Sequence, residues 1–583
     1  MSLSHDTIGS RPGWGWLTGG VWRLEHAFER AKARGRAEDD TRIRIFFVLA
    51  LFATGFAALG VGAMRAAVFP EADAVNTYAW SAGSARSDLT DRNGAMLAAD
   101  LLHYGLYLDP REIWDTAETR RGLQEALPQL DPARLSKALK ARKRTFLIGG
   151  LTPQVRARIH DMGLPGLSFE NEQRRVYPLG TTAAHLIGFS DTGGIGLAGA
   201  EYALNKEIRD AVATKQSTPI SIDLRVQAAL EDELSKAAQL HSAIGAVGIV
   251  TNVHTGEILG MASYPAFDPN APGKATPDQL VNRAAARVYE MGSIMKVFSV
   301  AMGLDSGAAT LSTTFDTTSP YHLGSRRIRD YHPENHPQTV AEIFMNSSNI
   351  GTTKLSLAAG GPTMARYYKN LGFLQGAPSE LRESARPIVP RKWDDNTVAS
   401  VSFGSAIAVS PLAVAAAMGA VMNGGTYVPV TIKPMKAGSR PTGRRVMSET
   451  TSRTMLDLMR ANVVHGTGGK ADAPGLRVGG KTGSQEKVIG GHIDRDKLVA
   501  SFAAVFPTDG PLEADRYFVL ILMDEPKGTK ETYGFRTGGW TAAPAAGRVI
   551  NRIGPFLGVA RREDLHPVAI EGYTPAQIDQ ADH

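Results

Sequence analysis

Residues 45–64 form a stretch of twenty consecutive uncharged and mostly apolar residues. A helix of about 20 residues spans the roughly 30 Å hydrocarbon core of a bilayer, so this pattern predicts a transmembrane helix. Two alternatives are less favoured: a cleaved signal peptide has an apolar region of only about 7–15 residues, and a buried helix of a soluble protein would have a polar face. No second apolar stretch of this length occurs, which predicts a single membrane crossing.

The basic residues on either side of this stretch predict its orientation. Residues 1–44 contain eight lysines and arginines, whereas only Arg65 and Arg86 follow the apolar stretch closely. An excess of basic residues marks the cytoplasmic side of a membrane helix. We therefore expect a cytoplasmic segment over residues 1–44, an anchor over 45–64, and the remaining chain on the other side after a short stalk over 65–85.

From Ser87 onward the sequence alternates between short apolar segments and turn signals, which predicts strands and short helices. Asn93-Gly94 is the dipeptide typical of a hairpin turn. Five lysines and arginines between Lys137 and Arg144 are interpreted as a solvent-exposed helix face, with a polymer-binding patch as the alternative.

The pattern changes near Pro219. Asp223 is suited to cap a helix whose apolar residues follow at helical spacing. The leucines expected on its inward face are Leu224, Leu230, Leu234 and Leu240. Two strands, 246–251 and 257–263, are predicted after it, joined by a turn that ends at Gly256.

Later segments complete this region. A further helix is predicted to begin at Ser410-Pro411 and to end at Asn423, which two glycines follow. Two more strands, 498–506 and 517–523, and a helix over 542–556 come next. This order of elements predicts an α+β fold in which an antiparallel sheet packs between helical layers. The chain after Arg561 is expected to form a loose tail.

The composition narrows the possible chemistry. The chain has no cysteine, which excludes disulfide scaffolds, thiolate zinc sites and cysteine nucleophiles. Its net charge of +6 at pH 7 is distributed along the sequence. Because nucleic-acid binding requires a concentrated basic face, the charge does not indicate a nucleic-acid partner.

Three short motifs occur in an order that indicates nucleophilic catalysis by a serine. They are S-x-x-K at Ser293–Lys296, S-x-N at Ser347–Asn349 and K-T-G at Lys481–Gly483. Each motif is weak alone, and Ser484–Lys487 is a second match to the first pattern. The ordered set of three is a much more specific signal, and it requires no metal or cofactor.

The surroundings of the first motif favour a catalytic lysine. From Met291 to Leu304 the only charge is that of Lys296, and a helix that is apolar on all sides is a buried helix. Ser293 and Lys296 are three residues apart and so share a helix face. Burial lowers the pKa of a lysine, and the free amine can act as the general base for a serine hydroxyl. A lysine that reaches solvent from a helix end is the alternative.

The other two motifs supply groups that such a reaction needs. Ser347 can relay a proton, and Asn349 can hold a substrate amide, although this motif alone is also typical of an ordinary helix cap. Lys481 offers a positive charge for a carboxylate, and the small residues Thr482 and Gly483 would allow an extended peptide to lie along the strand. The backbone N–H groups of Ser293 and Ser484 are the natural pair for an oxyanion hole.

These motifs are similar to those of the class B penicillin-binding proteins, and most of all to the septal, FtsI-type members from alphaproteobacteria. The resemblance extends from about residue 86 to about residue 553. Beyond the three motifs it rests on SDLTDRNG (87–94), RRVYP (174–178), AHLIG (184–188), GAEY (199–202), IDLRVQ (222–227), MASYPAFDPN (261–270), residues 282–296 and 410–425, and DEPKG (524–528) followed by Tyr533-Gly534. Met291 stands where many members have proline, and Ser484 stands where threonine is commoner; neither change removes a reactive group.

The resemblance implies a pedestal domain over residues 86–217, a transpeptidase domain over 218–560 and a tail over 561–583. It implies that Ser293 is the acylated nucleophile and Lys296 its base. Ser347 and Asn349 would move the proton and position the substrate. A further set would meet the substrate carboxylate and backbone: Lys481, Thr482, Gly483 and Ser484.

The implied activity is cross-linking of peptidoglycan stem peptides at D-Ala-D-Ala, with β-lactams as inhibitors. The implied location is the inner membrane, with the catalytic domain in the periplasm. Partners would be a polytopic lipid II polymerase and divisome regulators. An elongation-type transpeptidase, a β-lactamase and a non-catalytic divisome scaffold or β-lactam-binding module remain as alternatives.

Overall fold

The computed structural model describes residues 48–57, 59, 85–436, 438–562 and 569–574. Residues 48–57 are helical and lie within the predicted anchor, but the rest of residues 45–64, apart from 59, lies outside the described residues. So do residues 1–44 and almost all of the stalk. In the described part of the chain no helix is both long and apolar enough to cross a bilayer. The membrane anchor therefore stays a prediction.

Residues 85–219 form a sheet with short helices around it. The strands are β1 (Leu89–Thr90), β2 (Met96–Leu108), β3 (Thr145–Leu151), β4 (Leu167–Val176) and β5 (Thr218–Pro219). The helices are α1 (Thr116–Ala126), α2 (Pro132–Leu139), α3 (Pro153–Asp161), α4 (Ala184–Ile187), α5 (Gly199–Ala203) and α6 (Asn205–Thr214). β2 lies at the centre and pairs antiparallel with β1, β3 and β4, while β5 pairs parallel to β1.

Two sequence predictions fall in this region. The Asn93-Gly94 turn joins β1 to β2, and Gly94 has φ +86°, so the predicted hairpin is confirmed. The basic run from Lys137 to Arg144 is solvent-facing for the most part, but α2 ends at Leu139, so the run continues past the helix instead of forming one helical face.

A buried ionic cluster joins two of the sequence stretches quoted above, RRVYP (174–178) and GAEY (199–202), to Arg86 and Asp100. Glu201 is fully buried and binds Arg86 at 2.6 Å and Arg175 at 2.6 Å. Asp100 binds Arg175 at 3.1 Å and accepts the backbone N–H of Arg86 at 2.8 Å. Burial raises the pKa of Asp100 in spite of the opposing Arg175 charge. Two arginines therefore face two carboxylates in a nearly water-free environment.

Residues 224–553 contain a second sheet and most of the helices. The strands are β6 (Gly245–Asn252), β7 (Ile258–Tyr264), β8 (Thr314–Phe315), β9 (Tyr321–Leu323), β10 (Arg326–Ile328), β11 (Gln338–Thr339), β12 (Thr426–Tyr427), β13 (Arg444–Arg445), β14 (Gly479–Ile489), β15 (His492–Phe506) and β16 (Tyr517–Asp524). The helices are α7 (Leu224–Leu240), α8 (Arg283–Ala286), α9 (Lys296–Asp305), α10 (Val340–Met345), α11 (Asn349–Ala359), α12 (Gly361–Asn370), α13 (Asp395–Ser402), α14 (Pro411–Met422), α15 (Glu449–His465) and α16 (Ala542–Ile553).

The main sheet has five antiparallel strands in the order β14-β15-β16-β6-β7. Successive side chains of a strand point to opposite faces, and the two faces carry separate hydrophobic clusters. Val250 and Phe502 pack with α7 and α16 on one face, while Ile249 and Ala503 pack with helices such as α9 and α14 on the other. This arrangement confirms the predicted antiparallel sheet between helical layers.

The predicted helix after Asp223 is α7, and the Asp223 side chain accepts the backbone N–H of Arg225 as a cap. Leu230 and Leu234 are buried, and Leu224 is half-buried. Leu240 is 57% exposed, so its assignment to the inward face was wrong. It is the last residue of the helix, and its side chain faces solvent there.

The chain after Arg561 departs from the expected loose tail over part of its length. Residues 563–568 and 575–583 lie outside the described residues, but 569–574 form a turn on the main core. Ile570 in this turn is 8% exposed and belongs to the same hydrophobic cluster as α9. This short segment, called the tail turn below, is part of the folded unit.

Candidate active site

Ser293 lies in a 3₁₀ turn, Gly292–Met295, which leads directly into α9. The single α-helix predicted from Met291 is therefore wrong for its first turn. Gly292 has φ +55°, and a Cβ atom there would lie 2.8 Å from the carbonyl oxygen of Ser484. The glycine allows this turn to pack against the backbone of β14.

Lys296 is fully buried at the start of α9, and its backbone N–H donates to the carbonyl oxygen of Ser293. A 3₁₀ helix has three residues per turn, so residues three apart lie directly above one another. The Nζ atom of Lys296 donates to the backbone oxygen of Ser347 and, at 3.1 Å, to its Oγ. The pKa of Lys296 is well below its usual value, first because of burial and second because of the charge of Lys481, while Asp330 opposes the shift.

The residues of the second motif make different contacts. Ser347 has φ +55° and turns its hydroxyl toward Lys296. Ser348 caps α11, since its Oγ accepts the backbone N–H of Gly351 at 2.9 Å. Asn349 is half-buried, and its Nδ2 donates to the backbone oxygen of Arg329 at 3.0 Å. The helix-cap interpretation thus holds for Ser348, while Ser347 faces the buried amine.

Lys481 projects from β14, the strand at one edge of the main sheet. It is fully buried, and its Nζ has no hydrogen-bond partner among the described residues. The Nζ lies 5.9 Å from the centre of the Phe344 ring. Burial lowers the pKa of Lys481 to about 7. An unpartnered buried amine of this kind is suited to receive a carboxylate.

The rest of the third motif faces the nucleophile turn and a nearby loop. A Cβ atom at Gly483 would lie 2.6 Å from the carbonyl oxygen of Met291, so only glycine allows this close approach. The hydroxyls of Thr482 and Thr467 are 3.1 Å apart. The Oγ of Ser484 accepts the backbone N–H of Gly538 at 3.0 Å. The structure therefore brings all three motifs together around Ser293.

Several residues that support the motifs were not found from the sequence. Asp330 accepts the Ser348 hydroxyl at 2.6 Å and the backbone N–H of Ile350 at 2.9 Å, so it holds the start of α11. Asn462 is fully buried in α15 and donates to the backbone oxygen of Gly480 at 2.8 Å, which holds β14. No local pattern marks either residue, because each acts on a segment distant in sequence.

The assembled groups fit one kind of chemistry. A serine hydroxyl, a buried lysine of lowered pKa and a second hydroxyl can exchange protons during nucleophilic attack. The edge strand β14 offers its backbone to an extended peptide next to the buried amine of Lys481. In the described ranges no cluster of three or more His, Asp or Glu side chains is placed to hold a metal ion.

Two family models match the chain. Residues 81–215 match the model described as the penicillin-binding protein dimerisation domain, and residues 246–549 match the penicillin-binding protein transpeptidase domain. The second match contains all three motifs.

Curated proteins with these domains are similar over most of the chain. One is the probable peptidoglycan D,D-transpeptidase FtsI of Caulobacter vibrioides, 56% identical over 98% of this chain and 98% of that protein. Another is the peptidoglycan D,D-transpeptidase FtsI of Escherichia coli, 28% identical over 84% of this chain and 85% of that protein. Among solved structures, penicillin-binding protein 3 of Mycobacterium tuberculosis in complex with aztreonam has a TM-score of 0.64 at 22% identity, covering 84% of this chain and 99% of that one.

Proposed function

The chain belongs to the penicillin-binding proteins as an FtsI-type peptidoglycan D,D-transpeptidase, and from this membership we propose how its three motifs carry out acyl transfer. Ser293 Oγ attacks the carbonyl carbon of the D-Ala-D-Ala peptide bond in a stem peptide. The terminal D-Ala leaves, and the remaining stem is held as an ester on Ser293. An amine of a neighbouring stem then attacks the ester carbon, forms the cross-link and frees Ser293.

The proton of the Ser293 hydroxyl passes to Lys296, which acts as the general base. The hydroxyl of Ser347 relays that proton to the nitrogen of the departing D-Ala, since its Oγ lies 3.1 Å from Lys296 Nζ. The observation that carries the proposal is this contact, made by a fully buried lysine whose pKa is far below its usual value. A lowered pKa favours the free amine, which is the form that can accept a proton from a serine hydroxyl.

The substrate lies along β14 in this proposal. Lys481 binds the carboxylate of the terminal D-Ala, and Thr482 and Gly483 line the strand beside the peptide. The backbone N–H groups of Ser293 and Ser484 stabilise the oxyanion, a contribution that typically lowers the barrier by about 3–4 kcal/mol for each donor. The contact between the Gly292 turn and the Ser484 carbonyl supports this pairing. Asn349 orients the substrate amide.

We further propose that residues 86–217 are the pedestal and 218–560 the transpeptidase domain, which the two family matches support. Residues 45–64 anchor the chain once in the inner membrane, with the catalytic domain in the periplasm. The reaction cross-links the septum during cell division, which is the role that the resemblance to the septal, FtsI-type members implies; similarity to two peptidoglycan D,D-transpeptidases named FtsI supports this. A polytopic lipid II polymerase and divisome regulators are the expected partners, and β-lactams the expected inhibitors.

The test is covalent labelling of the detergent-solubilised full chain with a labelled penicillin. Digestion and mass spectrometry of the peptides then locate the adduct in the wild-type chain, in Ser293→Ala and in Ser439→Ala. Ser439 lies in an exposed loop outside the motifs and is the matched control.

We expect the label on Ser293 in the wild-type chain and in Ser439→Ala, and no label in Ser293→Ala. A folded wild-type chain without any adduct would contradict the catalytic proposal and would favour a scaffold. A label on a different serine would contradict the assignment of the nucleophile.

A further inference from the structure

The tail turn, residues 569–574, is fitted closely to the folded unit. Ile570 is buried, and its backbone oxygen accepts the N–H of Tyr573 at 3.1 Å, which closes the turn. Gly572 has φ +74°, and a Cβ atom there would lie 2.8 Å from the carbonyl oxygen of Leu311. These contacts hold the turn in one position against the core.

One side of the tail turn binds the start of α10. The Oγ1 of Thr339 donates to the backbone oxygen of Gly572 at 2.5 Å, and the Ser312 hydroxyl donates to Glu571 at 3.1 Å. Thr339 is the N-cap residue of α10. This helix carries Phe344, whose ring lies against Lys481, and its end leads directly to Ser347.

The other side of the tail turn meets the end of α15. The ring centres of Tyr573 and His465, the last residue of α15, are 6.2 Å apart. Near this end, Asn462 binds the backbone of β14, and the hydroxyl of Thr467 meets that of Thr482. The tail turn thus touches the two helices that hold the second and third motifs.

We propose that the tail turn is a positioning element of the active site, in which Gly572 and Tyr573 hold α10 and α15 at the separation that acyl transfer needs. The proposal rests on the proposed function. Misplacement of a reacting group by about 1 Å can reduce a rate about 100-fold, so a small change in this separation would slow acylation of Ser293.

The test compares two truncations of the full chain. One ends after Arg562 and lacks the tail turn, while the matched control ends after Thr574 and lacks only residues 575–583. Acylation by a labelled penicillin is followed as a rate at 20 °C, where circular dichroism verifies that both proteins are folded. We expect the shorter chain to react at least about 10-fold more slowly and the control to stay within about twofold of the full chain.

A second readout follows the position of the helices without relying on activity. Hydrogen exchange of peptides covering residues 340–349 and 479–484 should be faster in the chain that ends after Arg562 than in the control. Tyr573→Ala in the full chain should acylate more slowly than the wild type, although less slowly than the shorter truncation. Tyr573→Phe, which keeps the ring, should acylate at the wild-type rate.

Equal acylation rates in the two truncations, or a lower melting temperature with an unchanged rate at 20 °C, would overturn the proposal and leave the tail turn with a stabilising role only. Failure of the proposed function gives a different result, since the full chain itself would then remain unlabelled. In that case the hydrogen-exchange comparison still decides whether the tail turn positions α10 and β14.

Discussion

Replacing Lys481 by methionine is expected to make the protein more stable and less active. Lys481 is fully buried, and its Nζ has no hydrogen-bond partner in the described part of the chain. Methionine has a similar length and no charge, so it can fill the same space without desolvating an ammonium group. It cannot bind a substrate carboxylate, and we therefore expect Lys481→Met to lose most of its reaction with penicillin.

The size of the stability gain follows from the pKa of Lys481, which burial lowers from 10.5 to about 7. At about 1.4 kcal/mol for each pKa unit, this difference corresponds to at most about 5 kcal/mol. Below pH 7 Lys481 is charged in both the folded and the unfolded wild-type chain, so the full free-energy cost of burying the charge lowers the stability of the folded state. Between pH 7 and 10.5 the unfolded state binds more protons than the folded state, so wild-type stability rises with pH relative to the variant.

The assay is urea unfolding of the wild-type chain, Lys481→Met and the control Lys369→Met at pH 7 and pH 9. Lys369 is exposed at the end of α12. We expect the advantage of Lys481→Met to be several kcal/mol at pH 7 and to shrink by about 2–3 kcal/mol at pH 9. The control should show no such change. A variant no more stable than the wild type at pH 7, or an advantage that does not shrink with pH, would refute the reasoning.

Three further predictions concern other parts of the structure. Glu201→Gln should lower the free energy of unfolding by about 3–5 kcal/mol in urea titrations, because it removes one carboxylate from a buried cluster with two arginines. A decrease in this free energy of less than about 1 kcal/mol would contradict the prediction. The rate of penicillin acylation should rise with pH and level off below pH 10.5, since burial and Lys481 lower the pKa of Lys296; a rate that is independent of pH would contradict this. Asp330→Ala should lower the free energy of unfolding by about 1–2 kcal/mol in urea titrations and should slow acylation, because α11 loses a capping carboxylate bound to Ser348, the residue after Ser347. An unchanged acylation rate would limit Asp330 to a structural role.

Features whose signal and consequence lie within a few residues could be predicted from the sequence. The Asn93-Gly94 hairpin, the Asp223 cap and the helix that begins after Ser410 are confirmed where they were expected. The five-stranded sheet also agrees with the apolar segments around Val250 and Phe502, because a nearly continuous apolar run of this length indicates a strand that is covered on both faces. Local backbone preferences and side-chain periodicity were sufficient for these elements.

The site could be predicted only in part. The order of the three motifs indicated which segments would meet, and the structure places Lys296 against Ser347 and near the charge of Lys481, while the Gly292 turn packs against β14. The 3₁₀ geometry of the first turn could not be read from an apolar run, because packing of Gly292 against β14 decides it.

The sequence by itself determined the Asn93-Gly94 hairpin, the helix capped by Asp223 and the apolar strands of the main sheet, together with the order of the motifs and the expectation that a lysine would be buried. Only the tertiary structure decided that Lys481 has no partner, that Asp330 holds α11 and that residues 569–574 pack between two helices. Helix and turn signals act between residues about four positions apart. Burial, and the pKa values that follow from it, depend on segments separated by hundreds of residues, which meet only when the chain folds.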